Sequence, residues 1–206
     1  MNFITKELGL CDYTEVWHEM KSFTASRTQD TPDEIWLLEH PPVFTQGVAG
    51  KPEHVLNPGT IPIVQTDRGG QITYHGPGQL VGYVLMDLRR AKIGVKQFVN
   101  LLETSVIQTL ADYKIQAGTQ DSAPGVYVND TKICSIGLKI SRGCSYHGIA
   151  LNVNNDLTPF LCINPCGYKN LHMSKIADFC TNVPNIIDVG HKFAHYICTN
   201  AILKKV

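Results

Sequence analysis

Asp67-Arg-Gly-Gly-Gln-Ile-Thr-Tyr-His-Gly-Pro-Gly-Gln-Leu80 is too polar and too glycine-rich to be core, yet strand-like sequence flanks it on both sides. Gln71, Thr73 and His75 alternate with Ile72 and Tyr74, so a strand here lines three polar groups on one face. Gly76-Pro77-Gly78 demands a turn, and Gln79 to Leu88 reads as the returning strand of a hairpin. The paired Gly69-Gly70 beside Arg68 removes Cβ atoms where a ligand can approach the backbone closely. A plain glycine-rich surface hairpin is the competing reading.

Working outward, Val16, Trp17, Met20, Phe23 and Thr24 recur at helical spacing, which predicts a helix over Thr14 to Arg27 capped near Asp12 or Thr14. Glu34 to His40 reads as a strand stopped by Pro41-Pro42. Residues 45 to 60 carry enough Gly and Pro to predict a loop, and Ile61 to Thr66 a short strand. Phe98, Leu101, Leu102, Val106, Leu110 and Tyr113 form the apolar stripe of a helix over Gly94 to Tyr113. Gly125 to Val128, a turn at Asn129 to Thr131, and Lys132 to Ile140 make a second hairpin; Ser145 to Val153 follows as a strand. Residues 154 to 185 predict a loop, and Ile186 to Leu203 a last helix. Strands in the middle, helices towards the ends and hairpins in place of βαβ repeats predict an α+β fold with a mixed or antiparallel sheet. No repeat or linker divides the chain, so residues 1–206 read as one domain.

Hydrophobic residues make up 43% and charged residues 17%, the balance of a chain that buries a core. Eighteen acids balance eighteen bases, which excludes the electrostatic footprint of a dedicated nucleic-acid or polybasic membrane binder. No apolar run is long enough for a membrane span, and the amino terminus has no signal pattern. The seven cysteines are odd in number and none form CxxC, so reduced thiols in a cytoplasm are expected.

Two positions carry the sharpest chemistry. Cys166 sits in Ile163-Asn-Pro-Cys-Gly-Tyr168, where Pro165 and Gly167 fix and expose a thiol. Lys132 opens a strand whose simple alternation places it with Cys134, Ile136, Leu138 and Ile140 on an apolar face. Loss of solvation there is expected to lower its pKa from about 10.4. A thiol with a free pKa of about 8.5 needs such a basic or cationic neighbour to become a good nucleophile. Against this stand a buried structural cysteine and a lysine that snorkels into solvent. His75 and His147 are further polar candidates. His191 and His195 have the spacing of a helical metal pair but lack a third ligand, so no metal site is expected. Neither a P-loop nor a dinucleotide-binding glycine motif is present.

Arg68-Gly-Gly-Gln-Ile-Thr-Tyr-His-Gly-Pro-Gly-Gln-Leu80, Lys132-Ile-Cys-Ser-Ile-Gly-Leu138, Arg142-Gly-Cys-Ser-Tyr-His-Gly-Ile-Ala-Leu-Asn152 and Ile163-Asn-Pro-Cys-Gly-Tyr168 together resemble the lipoyl(octanoyl) transferases, in the same order along the chain. The resemblance implies the fold of the biotin and lipoate protein ligases, a mixed sheet flanked by helices. It implies Cys166 as nucleophile and Lys132 as its activating partner. Substrate contacts are implied at Arg68, Gly69, Gly70, Gln71, Ile72, Thr73, Tyr74 and His75, at Ser135, Ile136 and Gly137, and at Gly148, Ile149 and Ala150. A monomer is expected, since nothing in the chain demands a dimer, and neither ATP nor metal is expected, since trading a thioester for an amide is downhill. The octanoyl donor is expected to be acyl carrier protein, delivering the chain on its phosphopantetheine arm. The acceptors are expected to be lipoyl domains of 2-oxoacid dehydrogenase complexes and the glycine cleavage H protein. The apolar side of the Lys132 to Ile140 strand, with part of Gln79 to Leu88, is expected to wall an acyl tunnel. An ATP-dependent ligase on the same fold, an amidotransferase using another cysteine, and a non-catalytic carrier-binding protein are the alternatives.

Overall fold

The computed structural model describes residues 3–121, 123–168 and 171–203. Among the described residues, nine strands form two sheets. The larger contains β1 (Phe3–Leu10), β2 (Asp33–Glu39), β6 (Gln79–Leu85), β7 (Gly125–Val128), β8 (Thr131–Ser141) and β9 (Cys144–Asn152), in the order β1-β2-β6-β9-β8-β7. Only β1 and β2 are parallel in it; the rest pair antiparallel. The smaller sheet contains β3 (Val43–Gln46), β4 (Ile63–Gln65) and β5 (Ile72–His75), with β3 central. The architecture is the mixed α+β arrangement expected.

Alternation along the strands divides the interior into layers. Ile35, Leu37, Leu80, Val84, Ile149 and Leu151 face one way and pack under α3 (Val95–Ala111) and α4 (Ile186–Leu203). Trp36, Leu38, Val81, Tyr83 and Leu85 face the other way, against Val16 and Met20 of α1 (Tyr13–Ser26). Asp12 caps α1 by accepting from the Thr14 and Glu15 amides at 2.8 and 3.1 Å, which satisfies two of the donors a helix start leaves open. The small sheet has a core of its own, built on Phe44, Ile72, Tyr74, Phe160 and Ile163.

Several local expectations are corrected. β5 and β6 are not a hairpin: β5 pairs with β3, while β6 pairs with β2 and β9. Gly76-Pro77-Gly78 therefore carries the chain from one sheet to the other. Gly78 has φ +86° and a Cβ there would lie 2.3 Å from Asn154 Oδ1, so the crossing needs glycine. β6 ends at Leu85 and α2 (Leu88–Ala91) follows, because the Asp87 carboxylate caps it through the Arg89 and Arg90 amides. β1 and β3 have no counterpart in the sequence reading. β1, Phe-Ile-Thr-Lys-Glu-Leu-Gly-Leu on a largely exposed edge, has no regular alternation, and β3 begins directly after two prolines, so neither carries a strong periodic signal. The turn Asn129-Asp130 joins β7 to β8 and Arg142-Gly143 joins β8 to β9, all four residues at positive φ, the backbone that two-residue hairpins favour.

Candidate active site

The glycine-rich stretch lies in the cleft between the two sheets. Gln71, Thr73 and His75 point into a cavity, while Ile72 and Tyr74 enter the small core, as the alternation requires. The opposite wall is the face of the large sheet not covered by α3 and α4, represented by Tyr83, Ser135, Gly137 and Ala150. The cavity holds about 50 Å³ of free space, narrower than the usual span of about 300–1,000 Å³ for small-molecule sites.

Cys166 sits at the cavity wall, at φ +55° in a tight 3-10 turn over Pro165–Gly167. A Cβ on Gly167 would lie 2.2 Å from Gln71 Nε2, so glycine lets the turn close on β5. Lys132 Nζ lies 3.3 Å from Cys166 Sγ and donates to the Pro124 carbonyl at 3.0 Å. Its own backbone is pinned on both sides, accepting from the Ser174 amide at 3.0 Å and donating to the His172 carbonyl at 2.9 Å. Lys132 is only 1% exposed.

Two expectations about this lysine are overturned. Val126 pairs with Cys134 but Tyr127 with Lys132, so Ile133 is an extra residue in the β8 ladder. That bulge resets the alternation. Lys132 faces the Tyr127 ring, 5.3 Å from its centroid, whereas Ile133, Cys134, Ile136, Leu138 and Ile140 pack with the core under α3 and α4. Of that apolar set only Ile136 borders the cavity, joined by Tyr83 from β6. Second, the Lys132 pKa is raised, not lowered. Burial acts against the ammonium, but attraction to Cys166 and Tyr127 outweighs it. The lysine is thus held as a cation beside the thiol.

Arg68 brings a second positive charge. It is 7% exposed, and its guanidinium donates to Thr45 Oγ1 at 2.8 Å and to the Gly69 carbonyl at 3.0 Å. Burial works against its charge, while Tyr13, Cys166 and Tyr83 favour it. A Cβ on Gly137 would come within 2.9 Å of Arg68 Cδ, so glycine in β8 makes room for this arginine. Asp67 anchors the loop by accepting from Trp17 Nε1 at 2.8 Å, Tyr146 OH at 2.5 Å and His147 Nε2 at 3.1 Å. Burial raises its pKa, but these three hydrogen bonds reverse the effect and hold it well below the usual carboxylate range. His75 is fixed between Gln79 Oε1 at 2.8 Å and Thr45 Oγ1 at 3.2 Å, and stacks on Tyr13. Burial first, then the nearby His40, pushes His75 well towards the neutral form; burial also lowers the His147 pKa, against the opposing pull of Asp67. Gln71 Oε1 and Thr73 Oγ1 are buried at this cavity with no hydrogen-bond partner among the described residues.

Of the residues named from sequence, Arg68, Gly70, Gln71, Ile72, Thr73, His75, Ser135, Ile136, Gly137, His147, Gly148, Ile149, Ala150 and Cys166 border the cavity. Lys132 reaches it only through Cys166, and Gly69 and Tyr74 do not border it. Gly69 donates its amide to the Leu138 carbonyl at 2.8 Å, and Tyr74 packs against Phe44 and Phe160. Tyr13 and Tyr83 border it without having been singled out, because each sits in an apolar pattern that reads as core. His191 Nε2 donates to Glu7 Oε1 on the surface at 2.6 Å, and no group of three or more His, Cys, Asp or Glu side chains among the described residues is arranged to hold a metal ion.

Residues 12–198 match the family model described as the lipoyl protein ligase A/B catalytic domain, and the chain belongs to that family. A protein of Legionella pneumophila strain Paris named octanoyltransferase is 56% identical over 95% of this chain and 98% of its own length. An octanoyltransferase of Saccharophagus degradans strain 2-40 is 61% identical over 84% of this chain and 80% of its own. The crystal structure of lipoate-protein ligase A bound with ATP superposes with a TM-score of 0.80 at 14% identity, covering 97% of this chain and 85% of that one, which establishes the shared fold.

Proposed function

We propose that Cys166 and Lys132 carry a two-step octanoyl transfer through an acyl-cysteine thioester. The chain is an acyltransferase of the octanoyltransferase type, acting in protein lipoylation. The observation that most supports this route is the 3.3 Å contact between Lys132 Nζ and Cys166 Sγ at a cavity lined by glycine-bearing segments.

In the first step the Cys166 thiolate attacks the carbonyl carbon of an octanoyl thioester carried on acyl carrier protein. The carrier's C–S bond breaks, and its departing sulfur takes a proton from the Lys132 ammonium. Octanoyl-Cys166 and a neutral Lys132 amine remain. In the second step a lysine of a lipoyl domain attacks the new thioester while Lys132 takes its proton. Cys166 leaves as thiolate, the amide forms, and the thiolate–ammonium pair is restored. The Arg68 charge favours the anionic species in both steps. An amide is more stable than a thioester, so the reaction so written needs neither ATP nor a metal. A monomer working in the cytoplasm on soluble carrier and acceptor domains fits this scheme, and among the described residues no helix is long and apolar enough to cross a membrane.

The test is intact-protein mass spectrometry after mixing with octanoyl-carrier protein, without ATP or acceptor. The expected product is a hydroxylamine-sensitive octanoyl adduct on Cys166 that Lys132→Ala does not form. Absence of the adduct, with a lipoyl domain modified only from free octanoate and ATP, would refute the scheme in favour of ligase chemistry.

A further inference from the structure

The Pro124–Gly125 peptide joins the dyad to a carboxylate that belongs to another element. Lys132 Nζ donates to its carbonyl at 3.0 Å, and its N–H, on Gly125, donates to Glu103 Oε1 at 3.0 Å. The carbonyl and N–H of one trans peptide point in opposite directions, so Glu103 and Lys132 grip it from opposite sides. Glu103 projects from α3, the long helix whose Phe98, Leu101, Leu102 and Val106 are fully buried, so the carboxylate is mounted on a rigid element. Gly125 leaves no slack: a Cβ there would lie 2.5 Å from Lys132 Cε and 2.6 Å from the Cys134 carbonyl. The adjoining Ala123 carbonyl is also held, accepting from Tyr127 OH at 3.0 Å.

We propose that Glu103 is a positioning residue for acyl transfer, clamping the Pro124–Gly125 peptide so that its carbonyl holds the Lys132 ammonium against Cys166. This rests on the reading of Lys132 and Cys166 as the reacting pair. A carboxylate on the N–H side polarises the peptide and strengthens the carbonyl as an acceptor for a cation. Without it the Gly125 N–H loses a charge-assisted partner and the carbonyl is free to turn away from Lys132.

The test compares Glu103→Leu with Glu103→Gln in the full chain. Gln presents an amide oxygen that can still accept from Gly125; Leu cannot. Two rates are read: alkylation of Cys166 by iodoacetamide, followed by peptide mass, and single-turnover octanoylation from octanoyl-carrier protein. Glu103→Leu is expected to lose about tenfold in both, with KM for the carrier unchanged, and Glu103→Gln no more than about threefold. Amide exchange at Gly125 should accelerate in Glu103→Leu while exchange in the helices is retained. If Glu103→Leu does not fold, Glu103→Ser, too short to reach the Gly125 N–H, takes its place. Wild-type rates in Glu103→Leu, or equal loss in the Leu and Gln variants, would overturn the proposal. Alkylation needs no acyl donor, so a Cys166→Ser variant that still transferred octanoate would refute the thioester route while the alkylation rates still judged Glu103.

Discussion

Replacing Gly125 with alanine offers the most direct check on how tightly the lysine is held. Gly125 sits at φ +140°, where a non-glycine residue is strained by about 1–3 kcal/mol. The added methyl would meet Lys132 Cε at 2.5 Å, the Cys134 carbonyl at 2.6 Å and Lys132 Nζ at 3.1 Å. Ordinary contact begins near ~3.5 Å, so relieving the first of these moves Lys132 by about 1 Å. The carbonyl is backbone in the middle of a sheet and cannot yield cheaply, which leaves the lysine side chain and the start of β7 to move. A displacement of about 1 Å at a reacting group typically costs about 100-fold in rate. The strain itself lowers Tm by about 2–4 °C per kcal/mol in a domain of this size. The assay is single-turnover acylation of Cys166 at saturating donor, with calorimetry on the same samples. Gly118→Ala serves as the control, since a Cβ there meets nothing within 4 Å. Acylation in Gly125→Ala within about threefold of wild type, in a protein that remains folded, would refute the claim that Lys132 has no room to shift.

Two other outcomes are expected. His40 is fully buried, bonded to Tyr83 OH at 2.8 Å, and burial above all holds its pKa down to about 4. The unfolded chain, with a histidine pKa of about 6.5, binds the proton first as pH falls, so stability is complete above that value and declines towards pH 4. Tm should therefore fall between pH 7.5 and 4.5, and less steeply in His40→Gln; parallel slopes would exclude His40 as a source. Cys134 is fully buried and its thiol is pushed up to about 12, chiefly by burial and against the pull of Lys132. Iodoacetamide at pH 8 should label Cys166 in the native protein and Cys134 only after denaturation, and labelling of both at one rate would contradict the packing described.

The parts of the fold that could be read from sequence are those whose signal is local. The apolar stripes of α1, α3 and α4 have helical spacing, and Asn129-Asp130 announces its turn. The alternation of Gln71, Thr73 and His75 against Ile72 and Tyr74 places the former on the cavity and the latter in the small core. Cys166 and Lys132 stand 34 positions apart; their local settings suggested the pair, four motifs in order carried it as a resemblance, and only the fold brings the two side chains to 3.3 Å. Glu103 escaped notice because a glutamate on an amphipathic helix looks like any solvated face until the loop it meets is in place.

What the sequence by itself determined, then, is the elements other than β1, β3 and α2, the α+β class and the residue types able to do acyl-transfer chemistry. Tertiary structure alone decided that β5 and β6 belong to different sheets, because strand partners are chosen by long-range hydrogen bonding and burial, which a turn motif does not specify. It also decided which face Lys132 occupies. A single extra residue at Ile133 reverses the alternation, and a bulge of that kind is a property of two strands in register, not of either strand alone. The charge state of the lysine follows from the same cause: turned towards Cys166 and Tyr127, it gains electrostatic partners that outweigh its loss of water.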